Sequence, residues 1–254
     1  MHRLKRSLRF CIFKMAEPML LHFLEVYMKY KAIFFDRDNT MIKPDPKKVK
    51  WRNEMIKSWS GRDYDVDYDK MIELFDRAGY PKNGLKSVDE EIEFKKKYFE
   101  EILKEHGVTE ILQERALILH NELWCNSSVL FDETIEVLEY FKSKGYKMGV
   151  ISDTSPSLQL SLEKIGLGKY FDSYTCSDLA GAMKPDPIIY NIALKSLGVE
   201  ASESIYVDDY DVESDGARDL GFLSFHIVRD GEKKSKWDIS SLKEIIEYIE
   251  QTDK

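Results

Sequence analysis

The sequence predicts an α/β protein in which a doubly wound parallel sheet is interrupted, after its first strand, by an all-helical insert. Three observations carry this. The run Lys31-Ala32-Ile33-Phe34-Phe35 is apolar, β-branched and aromatic, as a strand buried on both faces must be, and it ends abruptly in Asp36-Arg37-Asp38-Asn39-Thr40. The next stretch has helical periodicity with no strand in it. From about residue 131 strand and helix alternate, which demands parallel strands with right-handed crossovers and a Rossmann-like core.

In chain order, helices are expected over 51–59, 66–78, 87–106 and 109–124. Ser87 with Glu90 three residues on forms a capping box, and Val88, Ile92, Phe99, Ile102 and Leu103 share one face of that helix. Turn residues such as Gly79-Tyr80-Pro81-Lys82-Asn83-Gly84 separate the helices. Residues 45–129 therefore read as a helical domain set into a core of residues 29–44 and 130–254. In the core, Asp132 is expected to cap a helix ending at Gly145, followed by a strand over 146–151 that leads into Ser152-Asp153. Ser155 and Pro156 read as the cap and first residue of a helix, and Asp186 with Pro187 repeats the device for a helix closing at Gly198. Strands over 204–207 and 222–228, with a helix between them, and a last helix over 239–249 complete the chain.

Composition narrows the function. A hydrophobic content of 43% with 12% aromatics supports a real core. The net charge of −8 argues against a general nucleic-acid or anionic-membrane binder. No stretch is apolar for long enough to span a bilayer. Cys11, Cys125 and Cys176 have neither disulfide-framework nor metal-ligand spacing, which fits buried thiols in a reducing, cytoplasmic setting. Residues 1–28 are basic at first and then apolar, but Glu17, His22 and Glu25 break the apolar run; they are expected to be an extension outside the fold, with Met28 an alternative start. Oligomeric state is not readable from these features.

The residues that follow the strands carry the chemistry. Asp36 and Asp38, Ser152 and Asp153, and Asp208 and Asp209 all fall at carboxyl ends of predicted strands, with Lys184 just before a helix start. A parallel sheet gathers such positions at one edge. Four crowded carboxylates need a cation, and carboxylate oxygens suit Mg²⁺ better than they suit a softer metal. Lys184, a hydroxyl and helix-start N–H groups make a cradle for a phosphate dianion. One carboxylate can then attack phosphorus while its neighbour two residues on moves the protons. The five histidines lack ligand spacing and are treated as bystanders. Tyr98, Phe99 and Trp124 are expected to pack inside the insert, and Trp51, Arg52, Lys57 and Arg62 to form a solvated face.

Asp36-Arg37-Asp38-Asn39-Thr40, the strand ending in Ser152, Lys184-Pro185-Asp186-Pro187, and Val207-Asp208-Asp209 with Gly216-Ala217 and Gly221 resemble, in order and spacing, the four motifs of the haloacid dehalogenase superfamily. The resemblance implies Asp36 as nucleophile, Asp38 as general acid/base, and Ser152, Asp153 and Lys184 around the phosphoryl group. It implies a Mg²⁺ site of Asp36, Asp38, Asp208 and Asp209, and an insert similar to the mobile helical cap of that superfamily. Its glycine after the second aspartate is Asn39 here, a residue that tolerates positive φ. Arg37 is expected to point away from the two aspartates by strand alternation. The dehalogenase relatives lack an acid at the position of Asp38, so the pattern favours a phosphatase acting on a small phosphorylated metabolite. A sugar phosphomutase of the same architecture remains open. A phospho-accepting receiver domain uses a similar residue set, but in a different order and without an insert.

Overall fold

The computed structural model describes residues 29–252; the expectations for residues 1–28, Cys11 and His22 among them, lie outside the described residues. Six parallel strands form the main sheet: β1 (Ala32–Phe35), β4 (Lys147–Ser152), β5 (Ser173–Cys176), β6 (Ser204–Asp208), β7 (Leu223–Ile227) and β8 (Asp238–Ile239). Their spatial order is β5-β4-β1-β6-β7-β8. Phe35 stands opposite Val150 on one side and Val207 on the other, so β1 lies at the point from which the chain winds both ways.

Both faces of the sheet are covered, because successive β1 side chains point to opposite sides. Ile33 and Phe35 pack with Val137, Leu138 and Phe141 of α5 (Thr134–Ser143), with α6 (Leu158–Lys164), and with Ile245 and Ile249 of α10 (Lys243–Thr252). Ala32, Phe34 and Tyr206 pack on the other face against α8 (Pro187–Leu197) and Ala217 of α9 (Asp211–Asp219). Gly149 is needed in β4: a Cβ there would lie 2.6 Å from the Phe34 ring and from Ser173 Oγ.

The insert contains α1 (Pro46–Ser60), α2 (Tyr68–Arg77), α3 (Val88–Glu105) and α4 (Leu112–Leu123). They bury their own apolar cluster, centred on Ile56, Leu74, Phe94, Leu103 and Leu119. A short antiparallel pair, β2 (Ile42–Pro44) with β3 (Ser128–Leu130), carries the chain out and back. Asp45 caps α1 by accepting from the Lys47 N–H, with Pro46 as first helical residue and Gly61 as the left-handed stop. Ser87 caps α3 as expected, while Glu90 reaches the Lys86 N–H rather than that of Ser87.

Several helix starts differ from the sequence reading: α1 begins at Pro46 rather than residue 51, and α10 begins at Lys243 rather than residue 239, because Ile239 of β8 pairs with Ile227 of β7. Glu133, not Asp132, precedes α5, and its carboxylate is drawn to Arg229 instead of capping. Ser155 and Pro156 form a turn ahead of α6, and Ser157 is the residue at its start. The strands β2, β3, β5 and β8 were not read from sequence; each has four residues or fewer and is defined by its partner. Replacing Phe34 by Ala is expected to cost about 3–5 kcal/mol of stability, measured by urea denaturation, because its ring is fully enclosed between the sheet and α8.

Candidate active site

Asp36 directly follows β1 and donates its backbone N–H to Val207 O at 2.9 Å, which anchors it beside the end of β6. Ser152 and Asp208 are the last residues of the two flanking strands. All three are buried. Lys184 enters from the loop before α8, and its ammonium lies 2.8 Å from Asp36 Oδ1, 2.7 Å from Asp208 Oδ2 and 2.6 Å from Glu213 Oε2. Asp153 Oδ1 accepts the Lys184 backbone N–H at 3.1 Å, so it positions the lysine loop. Gly216 matters here: a Cβ would sit 2.6 Å from that of Pro185, next to the lysine.

Burial raises Asp36, with Asp208 and Asp38 adding to the rise and Lys184 opposing it, so that its carboxyl is pushed up to about 7. Burial also pushes Glu213 up to about 8. Burial alone would depress Lys184, yet Asp36, Tyr206, Asp208 and Glu213 together hold its ammonium well above the ordinary lysine range. Tyr206, fully buried, keeps its proton and donates to Asp208 Oδ2.

Carboxylate oxygens of Asp36, Asp208 and Asp209 lie within 4.8 Å of one another. Oxygen-only donors of this kind fit a hard divalent cation and not a thiophilic one. Asp38, expected from the sequence among the metal-binding side chains, lies outside this group in the metal-free structure. Its exposed carboxylate is held instead by Arg37, through Nη2 at 2.6 Å and Nε at 3.0 Å. Arg37 also donates to Thr154 Oγ1 at 3.0 Å. The expectation that Arg37 points away fails because β1 ends at Phe35, and the two-residue alternation ends with it.

The turn that carries these residues is held from outside. Asn39 has φ 52°, the left-handed conformation expected of it. Arg229 donates to the backbone carbonyls of Asn39, at 3.1 Å, and Thr40, while pairing with Glu133. His226, read as a bystander, places Nε2 3.2 Å from the Asp209 carbonyl. Glu213, Tyr206, Arg229 and Arg37 were not assigned to the site from sequence. Only Glu213 left a signal, an acid in the first turn of the helix after Asp208-Asp209.

A cavity of about 290 Å³ lies between the insert and this edge of the sheet, with Arg37, Thr154 and Ser155 on the core side and Arg52, Tyr64, Glu91, Lys95 and Tyr98 on the insert side. Arg52 thus faces inward, against the expectation of a solvated face, while Lys57 is exposed and paired with Asp63 as expected. Glu91, 2% exposed, joins insert to core: it accepts from the Ser157 N–H and hydroxyl, both at 2.7 Å, and from the Trp124 indole at 3.0 Å.

The haloacid dehalogenase-like hydrolase family model matches residues 30–221, from ahead of β1 to beyond α9. The chain belongs to that hydrolase family. It is 24% identical over 237 residues to a glyceraldehyde 3-phosphate phosphatase of Methanocaldococcus jannaschii, covering 88% of this chain and 99% of the relative. It is 26% identical to a ribulose-1,5-bisphosphate 5-phosphatase of Halopiger xanaduensis over 75% of this chain and 81% of that one. The fold is shared with a HAD phosphatase from Thermococcus onnurineus, at a TM-score of 0.58 and 24% identity, covering 86% of this chain and 97% of that one.

The raised carboxyls have a consequence for stability. Between about pH 4 and 7 the metal-free fold keeps a proton on Asp36 that the unfolded chain has lost, so this group makes the fold less stable as pH rises across that window. In chelator, the melting temperature of the wild type is expected to fall more steeply from pH 5 to 7.5 than that of Asp36→Asn, which carries no such proton.

Proposed function

We propose that the protein is a Mg²⁺-dependent phosphatase that hydrolyses a small phosphorylated metabolite through an aspartyl-phosphate intermediate. The observation that carries this reading is the convergence of Asp36, Asp208, Asp209 and the buried Lys184 at the carboxyl edge of one parallel sheet. Membership in the hydrolase family and the phosphate-ester activities named for its relatives support it.

In this reading Asp36 attacks phosphorus, and the ester bond to the leaving oxygen breaks as Asp38 delivers a proton to that oxygen. Asp38 then takes a proton from the water that attacks the phosphoryl group, and phosphate leaves with the Asp36 carboxylate restored. Asp38 suits the proton-transfer role because its carboxylate is exposed while Arg37 fixes its orientation. Lys184 offsets the negative charge that the phosphoryl group brings to Asp36. Ser152, buried at the end of β4, supplies a hydroxyl to the phosphoryl group. Asp153 contributes through its hold on the Lys184 backbone. Asp36, Asp208 and Asp209 would hold the divalent ion, which when bound supplies charge neutralisation at the transferring group. The helical insert acts as a cap over the site, excluding water and forming the substrate cavity.

Phosphate release from p-nitrophenyl phosphate tests the reading. Turnover should vanish on chelation, return with Mg²⁺, and be abolished in Asp36→Asn. Asp38→Asn should lose roughly 10²–10⁴-fold in kcat. Unchanged turnover in Asp36→Asn would remove the proposed nucleophile.

A further inference from the structure

The cavity between insert and core carries more positive charge than its own walls neutralise. Of the cations lining it, Lys48 is paired with Glu122 and Arg37 with Asp38. Glu91, the acid in the wall, accepts from Ser157 and Trp124 and offsets part of the Lys95 charge without forming an ion pair with it. Among the described residues Arg52 and Lys95 have no ion pair. The Arg52 guanidinium lies 3.8 Å from the centroid of the Tyr64 ring and donates to Asn53 Oδ1 at 3.0 and 3.1 Å. The Lys95 ammonium faces the rings of Phe75, Phe94 and Tyr98 at 5.0, 5.7 and 5.6 Å.

An enclosed cation whose counter-charge is incomplete is costly, and a chain of net charge −8 has no general excess of bases that would place two there. Aromatic faces offset part of the cost but leave no acceptor for the ammonium protons. Burial depresses Lys95, Glu91 opposes this and Arg37 adds to it, so an incoming anion relieves the site. Helix α3 places Lys95 one turn after Glu91, whose bonds to Ser157 fix that turn against the core and hence the direction of the ammonium.

We infer that this cavity binds a second anionic group, carboxylate or phosphate, at the non-reacting end of the substrate, with Lys95 and Arg52 as the residues that select it. The inference rests on the phosphatase reading for the reacting end only. A volume of about 290 Å³ fits the remainder of a small metabolite and not a polymer.

Three phosphate esters of one chain length separate the possibilities: glycerol 3-phosphate, 3-phosphoglycerate and propane-1,3-diol bisphosphate. Wild type should use at least one of the two anionic compounds with kcat/KM roughly tenfold or more above glycerol 3-phosphate. Which of them is preferred tells carboxylate from phosphate. In Lys95→Met that preference should shrink by about tenfold or more, mainly through KM, with glycerol 3-phosphate changed by less than about threefold. Lys95→Arg should restore it. Equal use of all three by wild type, or an equal loss on all three in Lys95→Met, overturns the inference. Should Lys95→Met fail to fold, Lys95→Gln replaces it with the same expectations. If wild type hydrolyses none, calorimetric titration of the same compounds decides. Binding of an anionic compound that weakens about tenfold in the Lys95 variant sustains the cavity assignment while the phosphatase reading falls, and absence of binding overturns the assignment.

Discussion

One buried ammonium organises the acidic edge of this protein's sheet. Lys184 sits within 2.8 Å of three carboxylates, those of Asp36, Asp208 and Glu213, in a place from which water is largely excluded. Removing one partner from such a cluster typically costs about 3–5 kcal/mol, because the remaining charges are left without solvent or counterion. The surrounding chain is arranged to keep it there. Asp153 holds its backbone, Gly216 lets its loop lie against α9, and Tyr206 takes up part of the Asp208 charge. Burial raises the Asp36 and Glu213 carboxyls despite Lys184, so negative charge stays costly beside it, and a divalent cation would offset that cost.

The insert packs around its own apolar cluster and is tied to the core by contacts that are specific in kind. The Glu91 carboxylate on Ser157 is one, and the Tyr80 hydroxyl on Asp178 Oδ1 at 2.5 Å is another. Polar ties of this sort can be exchanged for water at small net cost, whereas the apolar interior of each body cannot. In the proposed phosphatase reading, such a body would serve as a cover that opens and closes as a unit. Arg37 joins the two halves: it holds Asp38 on one side and lines the cavity under the insert on the other. In the proposed reading, recognition of a distal anion and orientation of the acid/base would be separated by this single side chain.

The fold was legible in the sequence because its signals are local. An apolar run ending in acid, a long helical period, and caps such as Asp186-Pro187 with Gly198 depend on neighbouring residues alone, and the structure places them as read. The short strands β2, β3, β5 and β8 were not legible, since two to four residues acquire strand character from the partner that pairs with them. Motif order was likewise enough to indicate the family and to nominate Asp36, Ser152, Lys184, Asp208 and Asp209, which the parallel topology brings to one edge.

What the sequence determined alone was the inventory of that edge: which acids, which lysine and which strand ends. The tertiary structure decided the division of labour among them. It set Asp38 apart from the three clustered aspartates, turned Arg37 toward it once the strand had ended, added Glu213 to the lysine, and faced Arg52 and Lys95 into a common cavity. The physical reason is range. Backbone propensities act over a few residues, while the desolvation and Coulomb energies that assign each charged group its partner depend on distances that exist only after the chain has closed on itself.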